Sequence, residues 1–223
     1  MSGCWLRFLS PHEPYRQAKQ LKSDAGRVDK SANSGQVFNS KAAPQSKNDT
    51  VRQMIMTTLH ATPYNRDATG FYFTDALDYE AKSTLHVDRY GNLVEEFEIQ
   101  FIDGDDAQLF EACGINQANL NIWFDDIEFL QDHEKVNLYY LVGVAGHTLS
   151  QALEKLDEPS ITESSLRDEA EELFDECWLS SVPESVRFYV DYDKFARDCE
   201  LSGDMTEFEY NNKTYTCTNS SAL

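Results

Sequence analysis

The stretch from Glu163 to Gly203 reads ESSLRDEAEELFDECWLSSVPESVRFYVDYDKFARDCELSG, and it decides how the chain folds. Ser165-x-x-Asp168 predicts a capping-box-like helix start. Leu166, Ala170, Leu173, Phe174, Cys177 and Trp178 recur at helical spacing and predict a buried stripe. Asp168, Glu169, Glu171, Glu172, Asp175 and Glu176 occupy the remaining faces, opposed only by Arg167. Pro183 breaks the helix, Arg187 to Val190 reads as a short strand, and Asp191 to Glu200 reads as a second acidic helix. Gly203 closes that helix. An ordinary solvated helix mixes its signs, because like charges four residues apart destabilise it. This one does not mix them.

C-terminal to the stretch, Glu207 to Cys217 predicts a hairpin across Asn211-Asn212, residues that tolerate the positive φ of a two-residue turn. N-terminal to it, residues 116–158 predict three short helices. The first follows an Asn116 cap and buries Leu120, Trp123, Ile127 and Leu130. The second opens at Asp132, buries Val136, Tyr139 and Tyr140, and ends at Gly143 and Gly146. The third opens at Thr148 and buries Leu149, Ala152, Leu153 and Leu156. Trp178, like Trp123, Tyr139 and Tyr140, is expected in the core.

Earlier still, Thr58 to Ala61 and Gly70 to Thr74 predict strands joined through a turn at Pro63-Tyr64-Asn65. Leu93 to Asp103 predicts a further strand. Phe97, Ile99 and Phe101 make its core face, and Glu96, Glu98 and Gln100 its solvent face. Asp106 is placed to cap a helix from Ala107 to Cys113, which Gly114 ends. The reading is therefore α+β, with boundaries at 56–115 (β-rich), 116–160 (helical) and 161–223 (acidic α+β).

The chain has 223 residues and a net charge of −20, unevenly spread. Residues 1–55 hold nine Lys/Arg against four Asp/Glu, a net of +5, and residues 56–223 hold ten against thirty-five, a net of −25. Lys19 to Thr50 is rich in Ser, Asn, Gln, Lys and Ala without apolar periodicity and predicts disorder. Met54 or Met56 is the expected natural start, the residues before it being an over-extended reading frame. The alternative is a basic arm that folds over the acidic body or binds DNA. The body's charge far exceeds what solubility asks of a small domain. Such a surface repels nucleic acid and anionic membranes and attracts basic clefts.

No run of 18 apolar residues or signal-peptide h-region is present, and five widely spaced cysteines predict reduced thiols in a cytoplasmic protein. Catalytic motifs fail in turn. His133-Glu134 opens like a zincin helix, but Asn137 stands where the second histidine belongs. Asp103-Gly104-Asp105-Asp106 lacks the alternating ligands of a calcium loop. Neither a phosphate loop nor a G-x-S-x-G elbow occurs. No cofactor and no metal is expected. A close carboxylate pair arises by chance in so acidic a chain and says little about acid–base chemistry.

The residues also carry a resemblance. Val190-Asp191-Tyr192, Phe195-Ala196-Arg197-Asp198 and Leu201-Ser202-Gly203-Asp204 resemble the C-terminal signature of the ArdA antirestriction proteins. Ala170 to Glu176 with Val182-Pro183-Glu184 resemble that family's acidic helix and the step after it, and Tyr64-Asn65, Gly70 to Phe73 and Glu95 to Ile99 resemble its opening strands. The resemblance covers residues 56–223. Cys199 departs from it where the family has an aliphatic residue, and the tail after Gly203 is longer than in some members. It implies an elongated chain of three subdomains that homodimerises into an acidic, DNA-like rod. The rod would fill the DNA-binding groove of Type I restriction-modification enzymes on their methyltransferase core. Two bodies at −25 would carry −50, roughly the charge of 25 base pairs.

Under that reading Glu96, Glu98, Asp103, Asp105, Asp106, Glu111, Asp125 and Asp126 are expected to imitate phosphates. So are Asp168, Glu169, Glu171, Glu172, Asp175 and Glu176. Asp191, Tyr192, Arg197, Asp198 and Gly203 serve structure or the dimer, with Arg197 bridging carboxylates or a subunit contact. The plainer readings are a solvated helix face and a charged sheet edge. Two other functions stay open: an acidic module that binds a basic or DNA-binding protein, and a carboxylate enzyme.

Overall fold

The computed structural model describes residues 57–223, and the expectations placed on residues 1–55 lie outside them. The described residues are mixed α+β. Strands β1 (Thr58–Pro63), β2 (Phe71–Phe73) and β3 (Phe97–Asp103) form an antiparallel sheet in the order β2-β1-β3. Leu59, Ala61, Phe73, Phe97 and Ile99 alternate onto its buried face. The strand expected from Leu93 starts only at Phe97, because Leu93 turns aside to pair with Val87 in an isolated bridge. Asp88 organises that turn. Its carboxylate accepts from Tyr90 N (2.8 Å), Asn92 N (2.9 Å), Asn92 Nδ2 (3.1 Å) and Asn65 Nδ2 (3.2 Å).

Between β1 and β2 the chain passes Gly70, where a Cβ would lie 2.6 Å from the Ala61 carbonyl oxygen and would strike the His60 ring. The carbonyl belongs to β1 and cannot swing away. Gly70→Ala should therefore cost about 1–3 kcal/mol through overpacking, read as a lower denaturant midpoint at constant slope. An unchanged midpoint would mean that β2 is free to shift.

Helix α1 (Ala76–Ser83) was not evident from periodicity, since Leu77 stays exposed. Its signals are polar: Asp75 Oδ1 accepts from Asp78 N at 2.8 Å, and Lys82 pairs with Asp78 at 2.7 Å. Helix α2 (Ala107–Ala112) follows β3. Asp106 precedes it but makes no side-chain cap, contrary to expectation, because its carboxylate is drawn to Lys135 Nζ at 2.6 Å.

The first of the three expected helices begins at Leu120 rather than after Asn116, whose side chain accepts from Ala118 N in the preceding turn. It comprises α3 (Leu120–Ile122) and a π-helical turn, Trp123–Ile127, closed by Glu128 N to Trp123 O at 2.8 Å. The wider turn lets Trp123, Phe124 and Ile127 all be buried. Helix α4 (Asp132–Tyr139) ends in a second π-helical turn, Tyr140–Val144, and α5 (Leu149–Glu154) starts at the Thr148 cap.

A two-residue strand β4 (Ile161–Thr162) leads into the acidic helix α6 (Leu166–Cys177). The strand expected at Arg187 to Val190 does not form. A short helix α7 (Glu184–Arg187) stands there, Arg187 Nε turns back to the Val182 carbonyl at 3.0 Å, and Phe188 and Tyr189 are 92% and 79% exposed, with no strand beside them among the described residues. Helix α8 (Tyr192–Ser202) follows, closed by Gly203 at φ 78°. The predicted hairpin is β5 (Thr206–Tyr210) and β6 (Lys213–Cys217), turning at Asn211 (φ 49°) and Asn212 (φ 60°), and the sheet order is β4-β6-β5.

One core runs from the first sheet through α2–α5 to Phe208, Tyr210 and Cys217 of the hairpin. Gln108 clasps the two ends of this core together. Its Nε2 donates to Tyr139 Oη (2.8 Å) and its Oε1 accepts from Asn211 N (2.9 Å). A second, smaller core holds α6 against α8 through Ala170, Ala196, Cys199 and Met205. Trp178, expected in the core, sits at the end of α6 and is 45% exposed, edge-on to Phe195 at 5.5 Å.

Candidate acidic interaction surface

Helix α6 is fixed by its cap and by three ties to its neighbours. Ser165 Oγ accepts from Asp168 N at 3.2 Å, and Glu207 Oε2 accepts from Leu166 N at 2.7 Å. Arg167 spans Glu171 (3.2 Å), Asp168 (3.8 Å) and Asp193 of α8 (3.0 Å). Tyr192 Oη donates to Asp175 at 2.7 Å, which pushes the tyrosine pKa up because its anion would face a carboxylate. With its apolar stripe turned to α8, the helix exposes Asp168, Glu172, Asp175 and Glu176. Asp168, Glu172 and Glu176 are four residues apart, a row with a rise of about 6 Å per step.

The C-terminal signature mostly builds helix ends. Asp191 accepts from Lys194 N at 3.1 Å and pairs with Lys194 Nζ at 2.7 Å, and the hydrogen bond from that ammonium holds its carboxyl below the usual range. Gly203 supplies the left-handed closing residue. The bridging role expected of Arg197 falls instead to Arg167. Arg197 is exposed and forms no ion pair among the described residues, and Asp198 beside it is exposed too.

In the first half, Glu96, Glu98, Asp103, Asp105, Glu111, Asp125 and Asp126 are exposed, and none has a cation within 4.0 Å among the described residues. Asp106 differs: its side chain is 15% exposed and neutralised by Lys135. Glu169 is half-buried and accepts from Ser164 Oγ at 2.5 Å. Of the cations, Lys82, Arg89, Lys135, Lys155, Arg167, Lys194 and Lys213 all pair with carboxylates. Among the described residues, that leaves only Arg66, Arg187 and Arg197 without a carboxylate within 4.0 Å.

The sequence carries a further signal of the acidic surface. Between Arg89 and Lys135 there are twelve Asp/Glu and no Lys or Arg. This cation-free segment carries β3, α2 and α3, and it extends the acidic surface well beyond α6. The carboxylates spread over it rather than converge. Among the described residues no group of three or more His, Cys, Asp or Glu is placed to hold a metal ion. The Cys113 thiol, pushed up to about 12 by burial, stays protonated and is a poor nucleophile. No helix among the described residues is long and apolar enough to cross a membrane.

Acid should weaken the turn that precedes β3. The side-chain bond from Asn92, with the backbone bonds around it, holds the Asp88 carboxyl below its ordinary value. A depressed folded-state pKa contributes stability above the unfolded value, and that contribution is lost as pH falls through the folded value. The melting temperature should therefore show a loss on acidification below about pH 3.9 that is smaller in Asp88→Ala. Identical pH profiles would remove Asp88 from the account.

Among the described residues, fold and surface together make an acidic α+β protein whose exposed charge is mostly of one sign. The family model described as antirestriction protein (ArdA) matches residues 33–213, and the chain belongs to that family of antirestriction proteins. The match starts before residue 56, where the resemblance read from individual residues begins. No curated protein gives a significant match.

Proposed function

We propose that this protein is a DNA mimic that occupies the DNA-binding groove of Type I restriction-modification enzymes, on the methyltransferase core, and blocks both restriction and modification. The observation that carries the proposal is the run of twelve carboxylates, mostly exposed, with no Lys or Arg among them between Arg89 and Lys135. It is continued by the row on α6. Glu96, Glu98, Asp103, Asp105, Glu111, Asp125, Asp126, Asp168, Glu172, Asp175 and Glu176 take the place of phosphates. Glu169, Glu171 and Asp106, being only partly exposed, add field rather than contact.

The mechanism is competition. The enzyme's Lys and Arg side chains meet carboxylates instead of phosphates, and no bond is made or broken. The protein acts in the cytoplasm as a homodimer, with α8 and its exposed Arg197 and Asp198 in the subunit contact. It binds neither nucleic acid nor membrane.

The test is displacement of a labelled duplex from a Type I methyltransferase by the purified chain at several salt concentrations. Near-stoichiometric displacement is expected, with an affinity that falls linearly in log salt, as for charge-dominated binding. No displacement from several unrelated Type I enzymes would end this reading and favour an acidic module with another basic partner.

A further inference from the structure

Strand β3, like β2, is an outer strand of its sheet among the described residues, so one edge of it faces away from β1. Two hydrogen bonds say which backbone groups lie on that edge. The Glu96 carbonyl accepts from Tyr64 N, on the β1 side, at 3.2 Å, whereas Phe97 N donates outward to Gln117 Oε1 at 2.9 Å. Residues alternate between the two edges of an antiparallel strand. Ile99 and Phe101 therefore turn their N–H and C=O outward, like Phe97.

Gln117 also donates to the Glu95 carbonyl at 2.8 Å and so stands in for a partner strand at the first position. No strand or side chain among the described residues does the same at Ile99 and Phe101. Alongside them lies a cleft of about 410 Å3, with Phe101, Ala107, Phe110 and Ile115 on its apolar wall and Glu111 on its rim. On the opposite, solvent face of the sheet stands Glu98.

We propose that this edge takes an extended, cationic segment of the partner protein as a fourth strand. The segment's main chain bonds to Ile99 and Phe101. Its alternate side chains fall on two faces: apolar ones in the cleft beside Phe110 and Ile115, basic ones against Glu98. Strand addition draws affinity from the main chain and specificity from alternate side chains. The surrounding charge selects the occupant, because no Lys or Arg lies between Arg89 and Lys135. A second copy of this chain would set carboxylate against carboxylate, which destabilises a strand pair. The proposal rests on the acidic surface being the binding face, and it adds the conformation of what binds there.

The probe is a blocked hexapeptide of alternating lysine and valine, titrated into the isotope-labelled full chain. A hexapeptide of alternating lysine and proline, equal in charge but short of the strand's donors, is the control. Amide exchange at Ile99 and Phe101 should slow about tenfold or more with the valine peptide and stay unchanged with the proline peptide. Glu98→Lys combined with Glu111→Lys, both at exposed positions, should weaken the valine peptide about fivefold or more. Equal protection by both peptides, or none by either, would overturn the proposal. Protection that rises with protein concentration in the absence of peptide would overturn it in favour of a second copy. The readout needs no restriction enzyme, so its failure is distinguishable from failure of the displacement experiment.

Discussion

Trp123→Ala should destabilise the protein by about 3–5 kcal/mol, a large part of the 5–15 kcal/mol typical of a domain. The indole is 0% exposed and edge-on to Phe110 at 4.9 Å and Phe101 at 6.3 Å. It joins the first sheet and α2 to the π-helical turn, so its removal leaves a cavity that several elements share. Its Nε1 is buried without a hydrogen-bond partner among the described residues. Part of the burial gain is thus already offset by a stranded donor, and Trp123→Phe should cost clearly less than the alanine change. Urea unfolding of both variants measures this, with a constant slope showing that stability alone has changed. An alanine variant within about 1 kcal/mol of the parent would mean that the site collapses around the gap.

Charge removal should act on binding with an equally large effect and the opposite effect on stability. Glu96, Glu98, Asp125, Asp126, Glu172 and Glu176 are exposed and lack a cation within 4.0 Å among the described residues. Any one of them replaced by its amide should alter inhibition of a Type I enzyme by less than about threefold, because the attraction is distributed. All six together should weaken it by about a hundredfold or more, and the log-salt slope should fall by about one for each carboxylate that had faced a cation of the enzyme. The folded state should meanwhile hold or gain stability as self-repulsion is relieved. Loss of inhibition accompanied by a higher melting temperature would separate a binding defect from misfolding. A single substitution that abolished inhibition would contradict distributed mimicry and point to one critical carboxylate.

The elements legible in the sequence are those whose signals are local. Ser165 and Asp191 cap the two acidic helices, Thr148 opens α5, and the paired asparagines turn the hairpin. Alternation alone places Phe97 and Ile99 in the core and Glu98 and Gln100 outside. What escaped depends on distant partners. Strand β4 is two residues long and exists only by pairing with β6, near the far end of the chain. Arg187 to Val190 has the composition of a strand but, among the described residues, no neighbour to pair with. The π-helical turns break the 3.6-residue period inside otherwise regular helices.

The same divide runs through the candidate surface. The sign of each carboxylate is read directly from the sequence. Which ones are cancelled is not, since Lys135 reaches Asp106 from α4 and Arg167 reaches Asp193 across two helices. Asp106 is the instructive case. A residue suited by type to cap its own helix is diverted by a cation that only tertiary packing brings near.

The separate small core under α6 and α8 has a mechanical consequence. Only Ala170, Ala196, Cys199 and Met205 are buried there, against the long aromatic-rich core that binds the rest together. Leu166, Leu173 and a ring cluster of Phe174, Trp178, Tyr192 and Phe195 add to this small core but stay only partly covered, so these helices are expected at the lower-stability end of the described residues. Their amides should exchange with solvent ahead of those in α3 and α4, and exchange at the same rate would deny them any separate give. On the proposed reading, slower exchange in α3 and α4 than in α6 would make the charged row a compliant facing on a stiffer support, whose pitch would follow grooves of somewhat different width.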